Sequence, residues 1–526
     1  MKDDRRLSRR AFLGAGAALA GAPAILCART RRPNILILMT DQQRFDTLGC
    51  YGARAIETPN LDGLAARGVL FERCYVNNPV CTPSRASMMT GKGLPGHGVY
   101  RLYDNLPESE VLFTRRLQQN GYRTALFGKL HVSSRLYEAA RRHPNDGFDL
   151  YEWCMEPSLH LDSPWNAYRQ WLEKKNPNHL ADLRAKGRKL THAPREVHMT
   201  HWAAERTIDF IQSAKEDEPF FCLMSIFDPH NPYDGYPVEM REGVKRDLLP
   251  QPVPAAGDMA RKPYGVRQEH EHNYLGAFRN FSRADLMEMR LGYYAAIALA
   301  DQEFGRVLKA LDAKRIVENT LVVFTSDHGD MLGDHGLLVK GAHFYDGGVR
   351  VPLLMRWPGR MREGMRIRRP VQLHDLAATV LAAAGCLPEE TRKQMPESQD
   401  LSPASAGDAA RLRDYAVCCY RNTGILDNQV YPNPEIHATM FLDERYKLNV
   451  YHAPPGADGE PEGQLFDMVQ DPQEQRDLWN DKNAREVRLR MTERLLAWLA
   501  SQERQFGSRG GEMLPQATQK LDNRLR

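Results

Sequence analysis

Four apolar runs in this chain are each followed at once by ionisable residues. NILILMT (Asn34–Thr40) leads into Asp41-Gln42, and the run at 123–127 into Gly128-Lys129-Leu130-His131. The run at 220–227 leads into Asp228-Pro229-His230, and TLVVFTS (Thr320–Ser326) into Asp327-His328. Asp41, Gln42 and Asp327 offer hard oxygen donors suited to calcium or magnesium. His328 adds a nitrogen, which fits calcium less well and manganese better. Lys129, His131, Asp228 and His230 add further ionisable groups at the other two strand ends. One polar strand end means little, since every strand must end in something polar. Four together describe a charged pocket, because ligands of a parallel α/β sheet bind at the carboxyl ends of its strands.

The elements that must carry these residues are legible as a pattern. Short apolar runs alternate with helical periodicity, which predicts an α/β fold: a large, mostly parallel sheet sandwiched by helices. Strands are expected at 34–40, 123–127, 220–227, 320–325 and 351–356. Helices are expected at 84–90, 111–120, 198–215, 286–311 and 374–384. Residues 389–410 are polar and charge-rich and read as a linker. Beyond it, strands at 415–419, 437–442 and 446–451 and a helix at 484–500 predict a smaller C-terminal antiparallel sheet plus helix. The stretch 232–282, rich in Pro, Gly and charge, reads as a long surface loop without a motif. The expected organisation is therefore a leader (1–28), a catalytic α/β domain (29–388), a linker (389–410) and a smaller α+β subdomain (411–526).

Residues 1–28 read as an export signal rather than as fold. Ser8-Arg9-Arg10-Ala11-Phe12-Leu13 resembles the twin-arginine motif, and an Ala- and Gly-rich apolar run follows from Gly14 to Leu26. That run is short for a membrane span, and no other segment qualifies. The expectation is a bacterial protein exported to the periplasm or beyond, with the export machinery as a partner and no stable membrane span. The formal net charge of +4 is small for 526 residues, and no basic stripe is interleaved with aromatics, which excludes a nucleic-acid reading. The 9 cysteines are scattered without a Cys-x-x-Cys pair, so neither a disulfide framework nor a zinc site is expected.

Cys81-Thr82-Pro83-Ser84-Arg85, with Met89-Thr90-Gly91-Lys92 downstream, resembles the sulfatase signature. The order along the chain resembles the family too: Asp41, then Cys81 to Arg85, Lys129 and His131, Pro229-His230, Asp327-His328-Gly329, and Gly333-Asp334-His335-Gly336 with Lys340. The resemblance runs from about Pro33 to Gly359, and again at Leu465-Phe466-Asp467 and Asp471-Pro472. It implies an alkaline-phosphatase-like fold and a formylglycine made from Cys81 by a formylglycine-generating or sulfatase-maturating enzyme. The hydrated aldehyde offers two hydroxyls. One attacks sulfur and displaces the alcohol; the other then loses its proton as sulfate is expelled and the aldehyde re-forms. By resemblance, Asp41, Gln42, Asp327 and His328, with Cys81, hold one divalent metal, calcium first and magnesium or manganese as alternatives. Arg85 and Lys129 hold the diol, and His131 is the base for sulfate release. His230 and Lys340 contact the sulfate and protonate the leaving oxygen. His335 is open between a structural and a substrate-facing role.

Many relatives carry two consecutive Asp where this chain has Asp41-Gln42, and Asn where it has His328. Both variants occur in members resembling iduronate, choline and phosphonate-ester hydrolases, and they remove one negative charge from the site. The expected substrate is a sulfated small molecule or glycan. The alternatives are a phosphonate or phosphate monoester hydrolase on the same fold, and a non-catalytic binder of sulfated glycans.

Overall fold

In a computed structural model, which describes residues 31–422, 432–452 and 461–506, the first strand, β1 (Asn34–Thr40), lies deep in a large sheet. All seven of its residues are buried, as a strand covered on both faces requires. Its side chains alternate between two cores: Ile35, Ile37 and Met39 join one, Leu36 and Leu38 the other. Helices Cys81–Thr90 and Asp375–Ala383 contribute to the first core, Met199–Gln212 and Arg283–Ala313 to the second. The expected leader, 1–28, lies outside the described residues.

The other strands of this sheet are β2 (Val69–Tyr75), β3 (Arg123–Gly128), β4 (Leu150–Trp153), β5 (Phe220–Ser225), β6 (Thr320–Ser326), β7 (Arg350–Arg356), β8 (Met365–Ile367) and β9 (Val371–Gln372). Their order is β4-β3-β5-β1-β6-β7-β2-β8, with β9 also on β2. Only β7 runs against its neighbours, pairing antiparallel with β6 and β2. The four strands whose ends carry the ionisable residues are therefore consecutive: β3, β5, β1 and β6. All three pairings among them are parallel, so their carboxyl ends share one edge.

The smaller sheet is antiparallel, β10 (Ala416–Arg421), β11 (His437–Leu442), β12 (Tyr446–His452) and β13 (Glu462–Asp467), in that order. The helix Arg485–Phe506 places Met491 and Leu495 against Val417, Phe441 and Leu465. The long helix starts at Arg283, earlier than its apolar periodicity predicts. Ser282 and Asp285 form a reciprocal capping box there.

Two sequence expectations need correction. The segment 389–410 does not pass as a bare linker: it forms the short helices Glu389–Gln394 and Ser402–Ser405 and buries Met395, Leu401 and Ala404 in the first core. Few apolar residues among many charges masked that packing. Within 232–282 the chain forms the helix Tyr264–His272, with Val266 and Glu269 buried. From Pro33 onward the described residues form one compact unit, and Cys418, Met440 and Leu442 of the smaller sheet share the first core. No described helix is long and apolar enough to cross a membrane.

Candidate active site

The helix Cys81–Thr90 starts at the nucleophile candidate. Pro83 falls in its first turn, where a missing N–H costs nothing, and Gly91 closes it in the left-handed conformation. Ser84 Oγ donates to the Asp327 carbonyl (2.6 Å), tying the helix to the end of β6. Arg85 lies beneath, 1% exposed. Its Nε donates to Asp327 Oδ2 (2.6 Å) and its Nη2 to Asp41 Oδ2 (3.1 Å), while Nη1 reaches Lys129 O and Ser225 Oγ. One guanidinium thus fixes both carboxylates while its remaining edge holds the Lys129 carbonyl and Ser225.

Asp41 Oδ2 also accepts from Lys129 Nζ at 2.6 Å. Burial alone would raise the Asp41 pKa, but the cations Lys129, Arg85 and Lys340 pull it down, and it lies well below the usual carboxylate range. Lys129 reaches this point because Gly128 turns the end of β3 with φ +110°. A Cβ there would lie 2.0 Å from Ser225 O.

Asp41 Oδ1 is buried and has no hydrogen-bond partner. It faces His328 Nε2 at 3.8 Å, and Asp327 Oδ1 lies 3.8 Å from the same nitrogen. His328 Nδ1 lies 2.9 Å from Gly329 O, so it carries the proton and leaves the Nε2 lone pair facing the carboxylates. Ligand atoms of Asp41, Asp327 and His328 all fall within 4.8 Å of one another. An orphaned carboxylate oxygen, a second carboxylate and an aimed imidazole fit a divalent cation. Gln42 stands beside this trio with φ +66°. Its Nε2 is held by Asp330 Oδ2 (2.6 Å), which turns Oε1 toward Lys340 Nζ (2.9 Å).

Cys81 Sγ lies 3.9 Å from Lys340 Nζ. Burial pushes its thiol up, but the cations Lys340 and Lys129 pull it the other way, and it lies well below its ordinary range. On one side stands His131, whose Nε2 lies 3.0 Å from Thr82 Oγ1. The Thr82 hydroxyl donates to Leu102 O (3.1 Å), so it accepts from Nε2–H. His131 Nδ1 then carries a lone pair, buried and without a partner. On the other side Lys340 Nζ donates to His230 Nε2 at 2.7 Å, and His230 Nδ1 lies 2.7 Å from Asn231 O. Burial and Lys340 push the His230 imidazole well below its ordinary pKa, so it is the neutral acceptor of an ammonium.

A cavity of about 270 Å³ opens over these groups, lined by Cys81, Lys129, His131, His230 and Lys340 at its floor. His335 does not line it; its ring stacks on Tyr345 at 3.9 Å. The cysteines among the described residues are free thiols.

Sequence reasoning did not find the residues that aim this set. Buried Glu138 accepts from the backbone N–H groups of His131, Val132 and Ser133 and from Trp153 Nε1, clamping the turn that presents His131. Buried Glu269 accepts from Ala342 N (2.9 Å), and a Cβ on Gly341 would lie 2.1 Å from its carboxyl. It thereby grips the chain next to Lys340. Neither glutamate belongs to a short motif; the only trace is an acid on the inward face of a short helix.

The family model described as Sulfatase matches residues 33–386, and that for the N-sulphoglucosamine sulphohydrolase C-terminal region matches 333–501. The uncharacterized sulfatase YidJ of Escherichia coli (strain K12) is 28% identical over 89% of this chain and 87% of its own. An arylsulfatase of Clostridium perfringens is 32% identical over 66% of this chain and 74% of its own. Among solved structures, the phosphonate monoester hydrolase of Agrobacterium radiobacter superposes with a TM-score of 0.72 at 23% identity, covering 90% of this chain and 96% of that one. At that identity the likeness shows the shared fold.

Proposed function

The chain belongs to the sulfatase family of sulfate-ester hydrolases, and from that premise we propose that it cleaves a carbohydrate sulfate through the oxidised side chain of Cys81. The observation that carries this reading is the meeting of Cys81 with Lys129, His131, His230 and Lys340 on one cavity floor, beside the Asp41, Asp327 and His328 trio.

Asp41, Asp327 and His328 would hold the divalent cation, with the Gln42 amide oxygen beside them; calcium is the first candidate for so oxygen-rich a set. When bound, the cation supplies Lewis acidity for activating the nucleophile and neutralising the sulfate. Formylglycine, made from Cys81, supplies two hydroxyls on one carbon when hydrated, one to attack sulfur and one to release sulfate. Arg85 keeps the carboxylates in place. Lys129 spreads negative charge next to the nucleophile. Lys340 and His230 share one proton between Nζ and Nε2, and that pair donates to the leaving oxygen as the S–O bond breaks. His131 Nδ1, with its free lone pair, takes the proton whose loss expels sulfate.

Protein produced with a formylglycine-generating enzyme should be assayed on matched aryl sulfate, aryl phosphate and phosphonate monoesters, then on sulfated sugars. Sulfate esters should be turned over best. Preference for the phosphonate would favour the other hydrolase reading, and binding of sulfated sugars without turnover would favour a binder. Export through the twin-arginine route to the periplasm is part of the same reading. Arg9→Lys with Arg10→Lys keeps the charge but loses the paired guanidinium groups. Unprocessed precursor should then accumulate in the cytoplasm, and normal export would contradict the route.

A further inference from the structure

Arg135 follows His131 by four residues and opens the short helix Arg135–Ala140. Four residues span at most about 14 Å of extended chain, so its side chain stays close to the site. It is half-buried and lines the same cavity as Cys81 and His131. The other cations of that cavity are committed. Lys129 pairs with Asp41, and Lys340 donates to Gln42 and His230. Arg188, at the cavity wall, is gripped by Glu156, with Nε at 2.8 Å from Oε1 and Nη2 on Oε2. Arg135 has no such partner among the described residues; its guanidinium carbon lies 5.8 Å from the centroid of the Tyr103 ring. A planar guanidinium beside an aromatic face keeps its N–H edge free for a planar or tetrahedral anion.

The same cavity is also lined by apolar groups, among them Leu102, Met155, Leu159 and the ring of Tyr274. Tyr274 is itself fixed, its hydroxyl donating to Asn231 Oδ1 at 2.6 Å. The cavity thus has a cationic floor, a wall that can pack against a sugar ring, and one uncommitted cation off the floor. We propose that the substrate carries a second anionic group, a carboxylate or another sulfate, on the same sugar or its neighbour, and that Arg135 recognises it. This rests on the sulfatase reading above and makes Arg135 a specificity-determining residue for it.

The test compares kcat/KM for three sulfate esters: a neutral hexose monosulfate, a sulfated hexuronate and a disulfated hexosamine. The wild-type enzyme should prefer at least one of the latter two over the neutral ester, and which one it prefers identifies the anion. Arg135→Ala should shrink that preference by roughly 10- to 100-fold, the range expected for one charge-assisted hydrogen bond. Arg135→Lys should retain part of it, and the preference should weaken as salt rises. Circular dichroism on each variant checks that it is folded. Equal kcat/KM on all three esters, or an unchanged preference in folded Arg135→Ala, would overturn the proposal while leaving the sulfatase reading intact. Absence of turnover on any sulfate ester, including an activated aryl sulfate, would instead sink the reading on which it rests.

Discussion

Arg85 and Lys129 converge on one oxygen of Asp41, and Arg85 also holds Asp327. The second Asp41 oxygen is left bare and turned toward His328. At residue scale the site is therefore polarised: one carboxylate oxygen is spent on cations of the protein, and the other is left open beside Asp327 and His328, as the proposed cation site requires. Lys340 holds the proton needed on the opposite side, at 2.7 Å from a neutral His230. If that proton goes to the leaving oxygen, Lys340→Ala will matter most where the leaving alkoxide is least stable. We expect kcat/KM to fall about 10²- to 10⁴-fold for a sugar sulfate and far less for a nitrophenyl sulfate, whose phenolate needs no proton. A plot of rate against leaving-group pKa should steepen in the variant. Parallel plots for the two proteins would remove Lys340 from the proton path.

At the scale of elements, the four strand ends were legible because chemistry and position coincide there. Apolar runs must end, and β3, β5, β1 and β6 end side by side. The segments that tune the site were not legible, because their signal is a single residue. β13 was missed because Gly463 and Gln464 break its apolar pattern, although it pairs with β12 along its length. The stretch 232–282 looked like a loop, yet it supplies Tyr274 to the cavity and Glu269 to the clamp on Gly341-Ala342. Burial raises the Glu269 carboxyl to about 8. The folded protein therefore keeps a proton there that the unfolded chain releases above about pH 4.5. Stability from this group is present below that pH and declines as pH rises toward 8. Glu269→Gln keeps an oxygen for Ala342 N–H without the charge. Its unfolding free energy should therefore gain on the wild type between pH 5 and pH 8, by an amount on the order of a few kcal/mol. Glu269→Ala should lower kcat more than KM, through Lys340, while Glu269→Gln keeps activity. Identical pH profiles of denaturant midpoint for wild type and Glu269→Gln would refute the buried-acid account.

At the scale of the whole molecule, the smaller sheet is tied to the larger by a buried charge cluster. Lys447 on β12 donates to Phe344 O (3.1 Å), Glu474 Oε1 (2.8 Å) and Asp346 Oδ1. Burial would lower the Lys447 pKa, but Asp346 and Glu474 outweigh it and raise it, while Lys447 and Arg350 hold Asp346 below the usual carboxylate range. Removing the lysine leaves Glu474 without its cation and Asp346 with Arg350 alone. Lys447→Met should cost about 3–5 kcal/mol of unfolding free energy, as breaking one side of a buried pair does. Adding Glu474→Gln should return part of it, a coupling that a double-mutant cycle measures. Strict additivity would show that the cluster does not act as a unit. The sequence showed the two sheets, but not this tie, because Asp346, Lys447 and Glu474 are far apart along the chain.

On the proposed function, Cys81 becomes a side chain with two hydroxyls and carries the sulfuryl group during turnover. Serine at this position offers one hydroxyl, enough to attack sulfur but not to release sulfate from the same carbon. Cys81→Ser, incubated with an activated aryl sulfate and followed by intact-protein mass spectrometry, should give one slow turnover and stall as the sulfated enzyme. Cys81→Ala should form no adduct. Sustained turnover by the serine variant would contradict the two-hydroxyl account, and full activity of the alanine variant would remove Cys81 from the chemistry.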